Sequence, residues 1–127
     1  MCIERSGVFR DVRKILTELG PKEFNGRTLK RGGTLAAVFL ASWCPFCRRF
    51  KPAFEAAANT NDISWATVDL SDDENELWDV FDIQIVPTVL VFKDGNAVWR
   101  KDGEPGRGLS DDVINETVSK VRSLAQN

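Results

Sequence analysis

Trp43-Cys44-Pro45-Phe46-Cys47 stands two residues after the apolar run Leu35-Ala36-Ala37-Val38-Phe39-Leu40. It opens a helix-like pattern in which Phe46, Phe50, Ala53, Phe54 and Ala57 share one face. The stretch therefore reads as the turn between a buried strand and a helix from about Pro45 to Asn59. If Cys47 lies in the first helical turn, both sulfurs fall on one side, because residues three apart are neighbours on a helix. A disulfide can then close and reopen with little backbone movement. Cys44 would sit at the helix start, where unpaired N–H groups and the helix dipole favour a thiolate over a thiol. Such a pair suits thiol–disulfide exchange. Cys44 would be the exposed nucleophile that forms a mixed disulfide, and Cys47, one turn deeper, the resolving thiol.

Two plainer readings compete. An inert disulfide or two core cysteines would look the same, but a loop this short stabilises little when closed. A structural zinc wants four ligands. The chain has no histidine, and Cys2 is its only other thiol. No metal is therefore expected, and no cofactor beyond the redox-active Cys44–Cys47 disulfide. Cys2, in a charged N-terminus, is expected to be dispensable.

Outward from the pair, Thr34 to Ser42 is apolar on both sides of its alternation, which predicts a strand covered by helices on both faces. Pro52 inside the following helix predicts a kink. Ser64 to Leu70 reads as a strand, and Glu74 to Phe81 as a short helix opened by Asp72-Asp73-Glu74. Thr88 to Lys93 and Asn96 to Lys101 read as two strands joined at Asp94-Gly95, a two-residue hairpin signal. Leu109 to Leu124 reads as a last amphipathic helix, capped by Ser110 or Asp111, with Val113, Ile114, Val118, Val121 and Leu124 inward.

Towards the N-terminus, Val8, Val12, Ile15, Leu16 and Leu19 form a helical stripe between a Ser6 cap and a Gly20-Pro21 stop. Phe24 to Leu29 reads as a short strand broken by Asn25-Gly26. The expected organisation is an N-terminal helix and lead-in over 1–33 and a main α/β domain over 34–127, compact as a whole. Crossover helices between parallel strands, then a hairpin, make a central mixed sheet flanked by helices.

Composition bounds the function. At 127 residues the chain is one domain by length. Lys plus Arg is 17 against 19 Asp plus Glu, a net charge of −2, with no basic tract to bind nucleic acid. No apolar run reaches membrane-spanning length, and Met1-Cys2-Ile3-Glu4-Arg5 lacks the apolar core of a signal peptide. The expected location is cytoplasmic, where most thiols stay reduced.

Taken together, Ala41-Ser42-Trp43-Cys44-Pro45-Phe46-Cys47, Val86-Pro87-Thr88, Phe92-Lys93-Asp94-Gly95 and Gly103 resemble, in order and spacing, the thioredoxin family. The resemblance runs from about Thr34 to the C-terminus. It implies the thioredoxin fold and a protein-disulfide oxidoreductase that acts on disulfide-containing proteins. A thioredoxin-reductase-type electron donor and a monomeric state go with it. It implies a cis Pro87 packed beside the cysteines, with Val86 offering its backbone to an extended substrate. Trp43, Pro45, Phe46, Ile85 and Gly103 would complete a shallow substrate face. A non-catalytic partner-binding or redox-sensing module of the same fold is the alternative.

The chain departs from that pattern in three places. Pro45-Phe46 stands where ordinary thioredoxins have Gly-Pro, which bears on redox poise. The buried Asp expected six residues before Cys44 is Val38, and its Lys partner on the next strand is Thr67. Asp69 is near in sequence, but alternation is expected to set it on the other face from Thr67 if the strand is regular. Arg48 and Arg49 could supply positive potential or be plainly solvated.

Overall fold

The computed structural model describes residues 17–60 and 63–125. The apolar run is the middle of a five-stranded sheet. In chain order the strands are β1 (Thr17–Leu19), β2 (Phe24–Asn25), β3 (Thr28–Leu29), β4 (Thr34–Leu40), β5 (Ser64–Asp69), β6 (Thr88–Lys93) and β7 (Asn96–Asp102). The described helices are α1 (Pro45–Thr60), α2 (Leu77–Val80) and α3 (Asp112–Ala125). The main sheet has the order β1-β5-β4-β6-β7, and β2-β3 is a separate ribbon. Strands β1, β5 and β4 run parallel, while β6 and β7 are antiparallel additions. This is the mixed α/β sheet expected.

Alternation along β4 divides the core. Leu35, Ala37 and Phe39 face a cluster with Phe24, Phe81 and Phe92, and Ala36 and Val38 face α1 and α3 through Phe50, Phe54, Val113 and Val121. The first cluster is held by edge-on aromatic contacts, with ring centroids 5.2 Å apart for Phe24–Phe81 and 5.6 Å for Phe39–Phe81. One face of β4 is thus covered by helices. Among the described residues, the other is covered by the β2-β3 ribbon, the one-turn α2 and the chain after it. At the β6-β7 hairpin, Asp94 and Gly95 both have positive φ, 49° and 92°. Those two left-handed residues match the right-handed twist of the strands they join.

The N-terminal segment differs from expectation where it can be described. The helical spacing includes Leu19, but that residue belongs to β1, paired in register with Val68 of β5. Ile15, Thr17 and Leu19 also alternate with period two, and a parallel partner that takes up their backbone groups outweighs the helical spacing. Ser6, Val8, Val12, Ile15 and Leu16, and so the body of the expected N-terminal helix, lie outside the described residues. Phe24 and Leu29 are buried in the main core. The described residues before Thr34 therefore build the same sheet and core as those after it. Helix α1 is continuous through Pro52. α2 is shorter than Glu74–Phe81, because Asp72 to Asn75 turn on their own side chains: Asp72 accepts from the Glu74 N–H at 2.9 Å and Asn75 from the Leu77 N–H at 2.9 Å.

Candidate active site

Strand β4 ends at Leu40, and the chain turns once before α1 begins. The Cys44 N–H donates to the Ala41 carbonyl at 3.2 Å, and the Cys44 carbonyl takes the first helical bond from the Arg48 N–H at 3.2 Å. Cys44 is therefore the N-cap of α1, and Pro45 fills the first helical position, where a missing N–H costs nothing. The Cys44 sulfur takes the capping role of a Ser or Asp side chain, accepting the Cys47 N–H at 3.1 Å. On its other side it donates to the Val86 carbonyl at 3.4 Å.

That second contact brings in the loop before β6. The Val86–Pro87 peptide bond is cis, as the resemblance implied. Thr88 Oγ donates to the Ile85 carbonyl at 2.7 Å, closing the loop on itself. Gly103, just after β7, lies against Pro87: a Cβ there would sit 2.7 Å from the Pro87 carbonyl oxygen. Gly108 adopts φ +72°, and a Cβ on it would come 2.6 Å from the Phe46 Cβ. Cys44, Cys47, Phe46, Val86, Pro87 and Gly103 are thus gathered at one end of the sheet.

Trp43 is 52% exposed and stacks on Trp78, with centroids 6.3 Å apart and planes within 7°. Its indole N–H donates to the Ser71 carbonyl at 3.0 Å. Ser71 also receives the Ser42 N–H on its hydroxyl at 2.7 Å and donates that hydroxyl to Asp69 at 2.5 Å. Sequence reasoning did not single out Ser71, Trp78 or Gly108 for the site. Nothing local marks them, since each acts across a gap in sequence that only the fold closes.

The expected exposure of the nucleophile needs correction. Cys44 and Cys47 are each 3% exposed, so Cys44 is no more accessible than its partner. The reason is the capping geometry, which turns the Cys44 sulfur inward between the helix start and Val86. The surface above it is made instead by Trp43 and Pro45, both exposed, and by half-buried Phe46 and Ile85. Cys2 lies outside the described residues. Among the described residues no cluster of metal-binding side chains occurs, and no helix is long and apolar enough to cross a membrane.

Val38 is fully buried, with Thr67 and Val89 as its register partners. Thr67 and Asp69 both line a cleft of about 390 Å³ that also reaches Cys47. They share a face, as period two requires, so the expectation that alternation separates them was mistaken. Burial pushes the Cys47 thiol up to about 12, and its hydrogen bond with Cys44 adds to the rise. A hydrogen bond from the Ala41 backbone works the other way, Cys44 raises it again by charge, and the positive Arg48 lowers it.

This direction sets a pH dependence. Burial, the largest cause of that rise, is expected to keep Cys47 a protonated thiol at neutral pH, and only its thiolate attacks. Resolution of a mixed disulfide is expected to speed up about tenfold per pH unit between about pH 6 and about pH 8, because the thiolate fraction grows in that proportion below the pKa. Single-turnover measurements across that range check it; a plateau inside it would mean that Cys47 is already ionised.

The thioredoxin family model matches residues 15–117. The chain belongs to the thioredoxin family. It is 33% identical over 87 residues to a protein named putative thioredoxin 2 from Streptomyces coelicolor, covering 68% of this chain and 61% of that one. It is 32% identical over 108 residues to protein disulfide-isomerase tigA of Aspergillus niger, covering 81% of this chain and 30% of that one. Both relatives therefore extend well beyond the matched part. A Halobacterium salinarum thioredoxin mutant superposes with a TM-score of 0.58 at 27% identity, over 71% of this chain and 75% of that one. A Malassezia sympodialis thioredoxin reaches 0.66 at 22% identity over 85% and 91%, which speaks for the fold alone. The family match begins at residue 15, ahead of the Thr34 from which the motif resemblance was traced, in keeping with β1 as part of the sheet.

Proposed function

We propose that the protein is a thiol–disulfide oxidoreductase that exchanges its Cys44–Cys47 dithiol with protein disulfides through a mixed disulfide on Cys44. The observation that carries the reading is the sulfur of Cys44 held between the α1 N-terminus, at 3.1 Å from the Cys47 N–H, and the Val86 carbonyl beside cis Pro87. A substrate strand laid along Val86 would bring its disulfide to that sulfur. Trp43, Pro45, Phe46 and Ile85 would make the face that meets it, with Gly103 leaving room for the Pro87 carbonyl. A thioredoxin-reductase-type donor, a monomeric state and a cytoplasmic setting belong to the same reading, because a reduced thiol pool lets a dithiol give electrons.

Insulin reduction by dithiothreitol tests it. An oxidoreductase accelerates precipitation of the insulin chains. The burial of both thiols favours the second reading, a binding or redox-sensing module, and such a module would leave the rate unchanged.

A further expectation concerns poise. Thioredoxin stands at about −270 mV and glutaredoxins at roughly −200 to −230 mV. With Pro45-Phe46 in place of Gly-Pro, and Val38 in place of a carboxylate, this protein is expected to lie above thioredoxin. A 30 mV shift is about 1.4 kcal/mol, the scale of one or two hydrogen bonds to sulfur. Equilibration with glutathione measures it, and a value at or below thioredoxin's contradicts it.

A further inference from the structure

Resolution needs a Cys47 thiolate, yet the buried position of the central strand beneath α1, Val38, offers that sulfur no carboxylate. The row under the helix runs Val38, Thr67, Glu18 across β4, β5 and β1, in register. Its first charged residue, Glu18, stands on the edge strand and is exposed. The cleft beside Cys47 does contain charge. Arg48, Lys51 and Glu55 reach it from α1, Glu18 from β1 and Asp69 from β5. Asp69 is engaged by Ser71, from both the N–H at 2.9 Å and the hydroxyl at 2.5 Å. Glu55 follows Cys47 by eight residues on the same helix, about 12 Å along the axis.

Arg48 is placed differently. Its Nη1 donates to the Ser42 carbonyl at 3.1 Å, so the guanidinium is tied back across the turn that carries Trp43 and Cys44. Arg49, next in the chain, lies over the Phe46 ring at 5.5 Å and lines a separate cleft with Gly108 and Asp102. Two adjacent arginines therefore sit in different surroundings, and only the first shares a cleft with Cys47.

We infer that Arg48 is a positioning residue for the resolving step: anchored on Ser42, it holds positive charge beside Cys47 and favours the attacking thiolate, while the proton leaves through the cleft. The cleft is lined in part by charged and hydroxyl side chains, Ser42, Thr67 and Asp69 among them, and is far larger than one water needs. The direction in which Arg48 moves the Cys47 thiol agrees with this. The inference rests on the oxidoreductase reading above.

The step balances as follows. Cys47 gives its proton to water in the cleft. Its electron pair forms the bond to the Cys44 sulfur, and the bond between Cys44 and the substrate sulfur breaks. The substrate sulfur leaves with that bond's pair and takes a proton from water. Over both steps the dithiol loses two electrons and the substrate disulfide becomes two thiols.

Reduced protein mixed with an aromatic disulfide whose thiolate is coloured separates the steps. The first coloured thiolate reports attack by Cys44, and the second reports resolution by Cys47. Arg48→Gln is expected to slow the second phase about three- to tenfold at neutral pH, as removal of one nearby unit charge should. Its pH profile should move upward and Arg48→Lys should recover most of the rate. The difference should shrink as salt rises, since an exposed charge is screened. Arg49→Gln should leave the second phase within about twofold, because its charge is directed elsewhere. An unchanged second phase in Arg48→Gln overturns the inference. So does a larger slowing in Glu18→Gln, Glu55→Gln or Asp69→Asn, which would assign the step to a carboxylate base. Failure of the oxidoreductase reading looks different: no first phase at all in the wild-type protein.

Discussion

Cys44→Ser is expected to abolish covalent capture of a disulfide substrate, and Cys47→Ser to accumulate it. Cys44 caps α1 with its sulfur and is the thiol in contact with the Val86 carbonyl, where an extended substrate would lie. A serine hydroxyl keeps the capping bond, so the helix start should survive. It cannot form a disulfide, so the loss should be complete rather than graded. Cys47 reaches the Cys44 sulfur from the third helical position. Without its thiol no other cysteine among the described residues can expel the substrate, and the mixed disulfide should persist. Non-reducing electrophoresis of each variant with a disulfide-bonded substrate shows which species forms. A stable adduct in Cys44→Ser, or none in Cys47→Ser, would reverse the roles. Because Cys44 is buried, the wild-type rate is also expected to depend on local opening around Trp43 and Phe46.

Gly103→Ala should damage both the stability and the activity of the protein. A Cβ at this position would stand 2.7 Å from the Pro87 carbonyl oxygen, closer than real contacts of that kind allow. The clashing atom is backbone and cannot swing aside as a side-chain tip would. Either β7 shifts outward or the Val86–Pro87 loop does. The first costs about 1–3 kcal/mol, the range for overpacking a filled site. The second moves the carbonyl that contacts Cys44, and a displacement near 1 Å can cost up to about a hundredfold in rate. Gly32→Ala is the control: its Cβ would meet nothing closer than Asp94 Oδ1 at 3.9 Å. It should stay within about 0.5 kcal/mol of the parent, as ordinary surface changes do. Urea unfolding and insulin reduction read the two effects. Equal behaviour of both variants would refute the argument.

The elements near the dithiol could be read from the sequence because they rest on local rules. Two cysteines three apart at a strand-to-helix turn, Asp94-Gly95 between two apolar runs, and an apolar stripe from Val113 to Val121 each carry their own geometry. The family motif added the cis Pro87 and its place beside the cysteines. Thr17 to Leu19 could be read two ways. Its spacing fits a helix as well as a strand, and the choice is made by β5, almost fifty residues later, which supplies the backbone partners.

The tertiary structure decided everything that depends on which surfaces meet. It turned the Cys44 sulfur inward, against the expectation of an exposed nucleophile, because the same sulfur had to cap α1 and contact Val86. It turned the side of β5 that carries Thr67 and Asp69 towards the cleft at Cys47. It separated Arg48 from Arg49, identical neighbours in sequence, by tying one to Ser42 and laying the other over Phe46. Residue type and spacing determine which groups can do the chemistry. Burial, hydrogen-bond partners and charge at each sulfur arise from contacts between distant segments, and those exist only once the sheet is assembled.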